Sequence, residues 1–139
     1  VIFRPHPSDR NSKEILDIRE KFKKDSLFTL DVSSSYIKKY LSSSLMITDY
    51  SGTAYTYSMI TLNPVVFFSI NEKYIHKLKY NKLDYFIDRK KVGLISYNLK
   101  DVVKKIKLAI THKKKYSRNI LEINTHFFFN SSKNEHMEF

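Results

Sequence analysis

Short apolar runs alternate along this chain with stretches in which apolar residues return every three or four positions. Val1-Ile2-Phe3-Arg4 reads as a strand closed by Pro5-His6-Pro7, since proline offers no N–H to a ladder and holds its predecessor extended. Asn11 followed by Glu14 reads as a capping box, and Ile15, Ile18, Arg19 and Phe22 then share one face, predicting a helix from about Ser12 to Lys24. A second strand is predicted over Leu27 to Asp31. Ser33 or Ser34 then caps a helix whose apolar stripe is Tyr36, Ile37, Tyr40 and Leu41.

The stretch from Leu45 to Ser69 organises the rest. Leu45 to Thr48 reads as a third strand, a small-residue turn follows, and a helix from about Ser51 to Leu62 stops before Pro64. Val65-Val66-Phe67-Phe68 is β-branched and aromatic without alternation, which suits a parallel strand covered on both faces, with the strand running to Ser69. Asn71 to Lys91 has no firm period and reads as a long loop. Val92 to Ser96 reads as a last strand, and Asn98 with Asp101 starts a helix whose Leu99, Val102, Val103, Ile106 and Ile110 share a face opposite Lys100, Lys104, Lys105 and Lys107. That helix is expected to fray into His112-Lys113-Lys114-Lys115, where cations suit the negative end of the dipole. Asn119 to Phe139 reads as a short helix with a Phe127-Phe128-Phe129 run. The alternation of strand and helix predicts a doubly wound, parallel α/β sheet in one domain spanning residues 1–139. In such sheets ligands bind outside the carboxyl ends of the strands, the edge on which His6 and the turn after Thr48 are both expected.

Composition narrows the picture. The first residue is valine, in a strand already under way, so the chain reads as a piece of a longer protein. Cysteine is absent, which excludes disulfides and thiolate metal sites and is compatible with a reducing compartment. No run approaches the roughly 20 apolar residues of a membrane span and no leader precedes the first strand, a soluble character. The formal charge of +11 points to an anionic partner: nucleic acid, an anionic membrane surface or a phosphorylated substrate. Sequences this rich in Lys, Asn, Ile, Phe and Tyr also arise from AT-rich genomes.

Asp49-Tyr50-Ser51-Gly52-Thr53 supplies two hydroxyls, a glycine that permits close backbone approach, and a helix amino terminus that favours an anion such as phosphate. An ordinary N-cap would use the same residue types. The turn is neither a P-loop nor the GxGxxG dinucleotide fingerprint. His6, rigid between two prolines, can donate a hydrogen bond to phosphate or act as acid or base, or it can simply bond its own loop. Arg4 can brace a phosphate with its planar fork or pair with a carboxylate such as Asp9. His76, His112, His126 and His136 lack metal-ligand spacing and read as surface residues. Asp84 and Asp88 do not make a glycosidase pair, and no GxSxG elbow is present. Lysines interleaved with tyrosines from Lys73 to Lys82 suit stacking and phosphate contacts, yet no nucleic-acid module matches, so no nucleic-acid partner is expected. The same stretch and the helix around Lys104 suit an anionic membrane surface.

Two stretches together resemble a known family. Arg4-Pro5-His6-Pro7, with Met46-Ile47-Thr48-Asp49-Tyr50-Ser51 through Asn63-Pro64-Val65-Val66-Phe67-Phe68, is similar to the CDP-glycerol glycerophosphotransferases of the teichoic-acid polymerase type. The similarity is clearest over residues 1–69 and weaker through the Val92 strand and the Leu99 helix. It implies a GT-B architecture of two Rossmann-like domains, of which this chain resembles the carboxyl-terminal, nucleotide-donor half. It also implies a donor-pyrophosphate role for His6, Asp49 and Ser51. With the residue reading, this makes His6 and Asp49 the catalytic candidates and Arg4, His6, Asp49, Ser51, Gly52 and Thr53 the donor-phosphate set, with no metal and no cofactor. The implied partners are CDP-glycerol or another nucleotide-activated donor and a polymer or lipid-linked acceptor, at the cytoplasmic face of the cell membrane. Gly52 stands where the family has a second serine, and Thr56 where it has the acid of an Asp-Tyr pair, which leaves the donor open. The alternatives are a nucleotide-sugar glycosyltransferase of capsule or lipopolysaccharide synthesis, and a non-catalytic module that binds nucleotide or membrane.

Overall fold

A computed structural model describes residues 1–49, 51–70, 72 and 89–134, with side chains up to residue 126. Two compact units divide the chain, Val1–Lys39 and Tyr40–Phe139. In the first, β1 (Ile2–Phe3) and β2 (Thr29–Leu30) pair in parallel, with Ile2 opposite Thr29 and Phe3 opposite Leu30. A 3₁₀ turn at Pro7–Asp9 and helix α1 (Lys13–Phe22) connect them. Phe28 stacks on Phe22 at 4.9 Å and lies 6.2 Å from Phe3, so three aromatic rings close the helix over the strand pair. The cap of α1 is Ser12, whose Oγ accepts from the Ile15 N–H, not Asn11. The helix after β2 is also shorter than its periodicity suggests. Helix α2 (Ile37–Leu41) begins several residues past Ser33, because Ser33 is engaged with Asp31 instead of capping.

The second unit is a three-stranded parallel sheet in the order β3 (Met46–Thr48), β4 (Val65–Phe68), β5 (Gly93–Ser96). Met46 faces Val65, and Val65 in turn faces Gly93. The central strand is inaccessible at Val65, Val66 and Phe67, as its unbroken apolar run predicts. Helix α3 (Thr53–Thr61) joins β3 to β4 and ends at Leu62, which takes a left-handed φ of 55° and donates its N–H to Ser58 O at 2.8 Å, one residue before Asn63-Pro64. Below that corner, Tyr57 Oη and Asn63 Nδ2 both donate to Ser43 O, fixing the entry to β3.

Most of the expected loop from Asn71 to Lys91 lies outside the described residues, including Lys73 to Lys82, His76, Asp84 and Asp88; so do Tyr50 and His136. Arg89–Val92 is a short helix, α4, feeding directly into β5. Helix α5 (Leu99–Thr111) is capped by Asn98, whose Oδ1 accepts from the Asp101 N–H at 3.0 Å as the sequence predicts. It packs on β4 and β5.

The tail departs most from expectation. In place of a short helix, α6 (Lys113–Asn134) runs 22 residues and packs on α3, α4 and α5. Its buried Tyr116 and Ile120 join Tyr57, Phe67 and Val92 in the core. Polar side chains anchor it as well: Ser117 Oγ donates to Leu62 O at 2.8 Å and Asn124 Nδ2 to Met59 O at 3.2 Å, so α6 satisfies carbonyls at the end of α3 that would otherwise lack partners. The secondary structure is that of a parallel α/β fold of the Rossmann-like kind, with its strands in two small sheets. No helix among the described residues is long and apolar enough to cross a membrane.

Candidate functional site

Every candidate residue follows the carboxyl end of a parallel strand, as the fold class dictates. Arg4 and His6 follow β1 in the first unit, and Asp49, Ser51, Gly52 and Thr53 follow β3 in the second.

Arg4 pairs with Asp31, not Asp9. One terminal nitrogen of its guanidinium meets Asp31 Oδ2 at 2.6 Å and the other donates to Ser33 O at 2.8 Å. Asp31 is 5 % exposed and also accepts from the Ser33 N–H at 3.1 Å and Ser33 Oγ at 2.7 Å. Burial alone would raise its pKa, but the Ser33 hydrogen bonds and the Arg4 guanidinium outweigh that, and the carboxyl titrates below the ordinary aspartate value. Arg4 is therefore a bracket joining the ends of β1 and β2, with both terminal nitrogens engaged.

His6 is exposed and caps the 3₁₀ turn, its Nδ1 accepting from the Ser8 N–H at 3.3 Å and lying 2.8 Å from Ser8 Oγ. Ser8 Oγ in turn lies 2.7 Å from Asp9 Oδ1. A neutral imidazole whose Nδ1 accepts carries its proton on Nε2. The local turn holds the ring through Nδ1, and the direction of the Nδ1–Ser8 Oγ hydrogen bond depends on the ring's tautomer.

The Asp49 turn is built from its own backbone. Asp49 Oδ1 accepts from the Ser51 N–H at 3.1 Å, and Ser51 Oγ accepts from the Thr53 N–H at 3.3 Å. Gly52 occupies the cap position of α3 without a side-chain cap bond, at φ −58° and ψ −23°. Any residue adopts those angles, and a Cβ added there would meet nothing within 4 Å. The fold therefore does not require glycine at this position; its absent side chain leaves clear space before the first turn of α3. Thr56, in place of the family's acid, lies further along the same helix.

One cluster at this sheet edge escaped the sequence reading. Just past β4, Ser69 Oγ donates to Glu72 Oε2, and Arg89 grips both carboxylate oxygens of Glu72, one nitrogen at 3.2 Å from Oε2 and the other on Oε1. Ser69 and Arg89 are buried, and the guanidinium carbon of Arg89 lies 5.8 Å from the Phe67 ring centroid. Glu72 and Arg89 fall in the stretch without a period, where only tertiary contact pairs them. His112 and His126 are exposed.

Residues 1–136 match the family described as CDP-glycerol:poly(glycerophosphate) glycerophosphotransferase. No curated protein and no solved structure matches the chain.

Proposed function

The chain belongs to the CDP-glycerol:poly(glycerophosphate) glycerophosphotransferase family, and from that premise we propose that it is the nucleotide-donor domain of a GT-B transferase moving glycerophosphate from CDP-glycerol to a cell-envelope polymer such as teichoic acid. In the transfer, an acceptor hydroxyl oxygen attacks the phosphorus that carries glycerol. The bridging P–O bond breaks, CMP leaves with the bridging oxygen, and the hydroxyl proton passes to base. Charge accumulates on the phosphate oxygens and on the departing CMP, so donors already aimed at those oxygens accelerate the step.

The observation that carries this reading is the clear space over Gly52 at the start of α3, where among the described residues an added Cβ would meet nothing within 4 Å and the positive end of the helix dipole favours an anion. The Ser51 and Thr53 hydroxyls would be the donors there, and His6 would be a further hydrogen-bond donor to a donor phosphate, as the family resemblance implies. Asp49 would work differently. A carboxylate against a diphosphate is repelled, so its role is to hold the turn through the Ser51 N–H. Arg4 would act at one remove, fixing the strand end from which His6 projects. The acceptor would be presented at the cytoplasmic membrane face by a lipid-linked or polymeric carrier.

Calorimetric titration with CDP-glycerol, CDP and a panel of nucleotide sugars tests the proposal, repeated on His6→Ala and Ser51→Ala. Selective cytidine-nucleotide binding weakened about tenfold or more in each variant supports it, a loss of the size expected for one hydrogen bond to a charged group. Preference for a nucleotide sugar would reassign the donor. No nucleotide binding by the folded chain would overturn the donor-site reading.

A further inference from the structure

The apolar arc of α5 is only partly covered. Of the residues predicted to share one buried face, Val102 and Ile106 are half-buried beside the fully buried Ala109, whereas Leu99, Val103 and Ile110 are 75 %, 58 % and 54 % exposed. At about 100° per residue these three exposed side chains fall within an arc of about 40°, on the solvent shoulder of the helix. The same turn angle puts Lys107, Lys100 and Lys104 next around the helix, all exposed and without an ion-pair partner among the described residues. The helix's one acid, Asp101, falls about 60° beyond Lys104 and lies 3.8 Å from Lys105. Past Ile110 the chain continues into Lys113, Lys114 and Lys115, exposed in the first turn of α6, where the positive end of the dipole disfavours cations.

We infer that this shoulder of α5 is a docking surface for an anionic lipid bilayer, with Leu99, Val103 and Ile110 entering the headgroup–acyl boundary and Lys100, Lys104 and Lys107 lying among anionic headgroups. An apolar stripe bordered by lysines is the pattern of a helix lying in a membrane interface. A protein partner fits less well, since the cores of protein interfaces are depleted in lysine. Anionic headgroups also complement the lysines at the start of α6. The inference rests on the membrane-face location proposed above and not on the identity of the donor.

Co-sedimentation of the full chain with vesicles of one part phosphatidylglycerol to three parts phosphatidylcholine, against pure phosphatidylcholine, tests it. Binding is expected to the anionic vesicles and to fall with added salt. The triple variant Lys100→Glu, Lys104→Glu, Lys107→Glu should bind about a hundredfold more weakly. Leu99→Ser, Val103→Ser, Ile110→Ser should lose binding with the charges intact. Lys13→Glu, Lys21→Glu, Lys24→Glu removes as much charge from exposed positions on and beside α1 and should retain most of it. All six altered α5 side chains are exposed, so unchanged melting temperatures are expected and check folding. The inference is overturned if the wild-type chain ignores anionic vesicles, if both lysine triples weaken binding equally, or if the serine triple leaves vesicle binding intact while shifting the oligomeric mass. Nucleotide titration of the same variants keeps this outcome separate from the donor reading: binding there should be unchanged.

Discussion

Two turns follow parallel strands in this chain and use their polar groups in opposite ways. After β1 and β2, Arg4, Asp31 and Ser33 satisfy one another, with the carboxylate buried and both terminal guanidinium nitrogens occupied. After β3, among the described residues, the Asp49 and Ser51 side chains bond only backbone N–H groups of their own turn, and Gly52 faces open space. The first arrangement has little left to offer a ligand and a large penalty for losing a member; the second contributes little to the fold and, among the described residues, gives the Ser51 and Thr53 hydroxyl protons no acceptor. A closed network argues structure, and an open one argues binding. The two glycines repeat the contrast. Gly52 has room around it, while a Cβ on Gly93 would sit 1.8 Å from Val65 O, inside the β4–β5 pairing.

Substitutions can break that contrast, and the largest effect is expected at Gly93. Gly93→Ala must push β5 away from β4 and should lower stability by about 3 kcal/mol, read as a fall in urea midpoint; an unchanged midpoint would mean the strands are not so closely paired. Asp31→Ala comes next, at about 2 kcal/mol, below the usual cost of breaking a fully buried pair because Arg4 keeps a quarter of its side chain exposed. The pH dependence of that pair has a definite sign. Asp31 titrates below the ordinary value of 3.8 when folded, so its stabilisation is complete above that value and is lost as pH falls through the native pKa. The stability gap between the chain and Asp31→Asn should therefore narrow on acidification below about pH 4 and stay flat between neutral pH and about pH 5.

At the open turn the ordering of effects reverses. Asp49→Ala should cost about 1 kcal/mol of stability, the scale of a lost cap, yet weaken nucleotide binding about tenfold, and Asp49→Asn should restore much of both because Oδ1 still accepts from Ser51. Restored stability without restored affinity would show that the charge itself matters. Gly52→Ala is the smallest perturbation of the fold and the sharpest test of the site. It should leave the chain as stable or about 0.5 kcal/mol more so, while a methyl group in the space before α3 reduces nucleotide affinity. Equal affinity would sink the claim that this space holds a phosphate.

Elements with strong local signals were legible in the sequence. Val65-Val66-Phe67-Phe68 announces a doubly covered strand because no polar residue interrupts it, and Asn98 announces a helix start because its side chain reaches an N–H three residues on. The Asp49 turn was legible as a turn for the same local reason. Where two caps competed, as Asn11 and Ser12 do, one residue of phase decided and the sequence had no means of choosing. Helix α6 was hidden because much of its hold is polar: Ser117 and Asn124 reach carbonyls 55 and 65 residues away.

What the sequence determined by itself was the succession of parallel strands and helices and the chemical types at each strand end, since both depend on neighbours within a turn or two. Tertiary structure alone decided which of those groups remain available. Arg4 and Asp9 are near neighbours, but Arg4 found Asp31 across a strand pairing. Glu72 found Arg89 across 17 residues without a readable period. The apolar residues of α5 look equivalent along the chain, and only packing separates the half-buried Val102 and Ile106 from Leu99, Val103 and Ile110, which stay exposed. Availability is a property of what packs on a group, and packing partners distant in sequence leave no periodic trace.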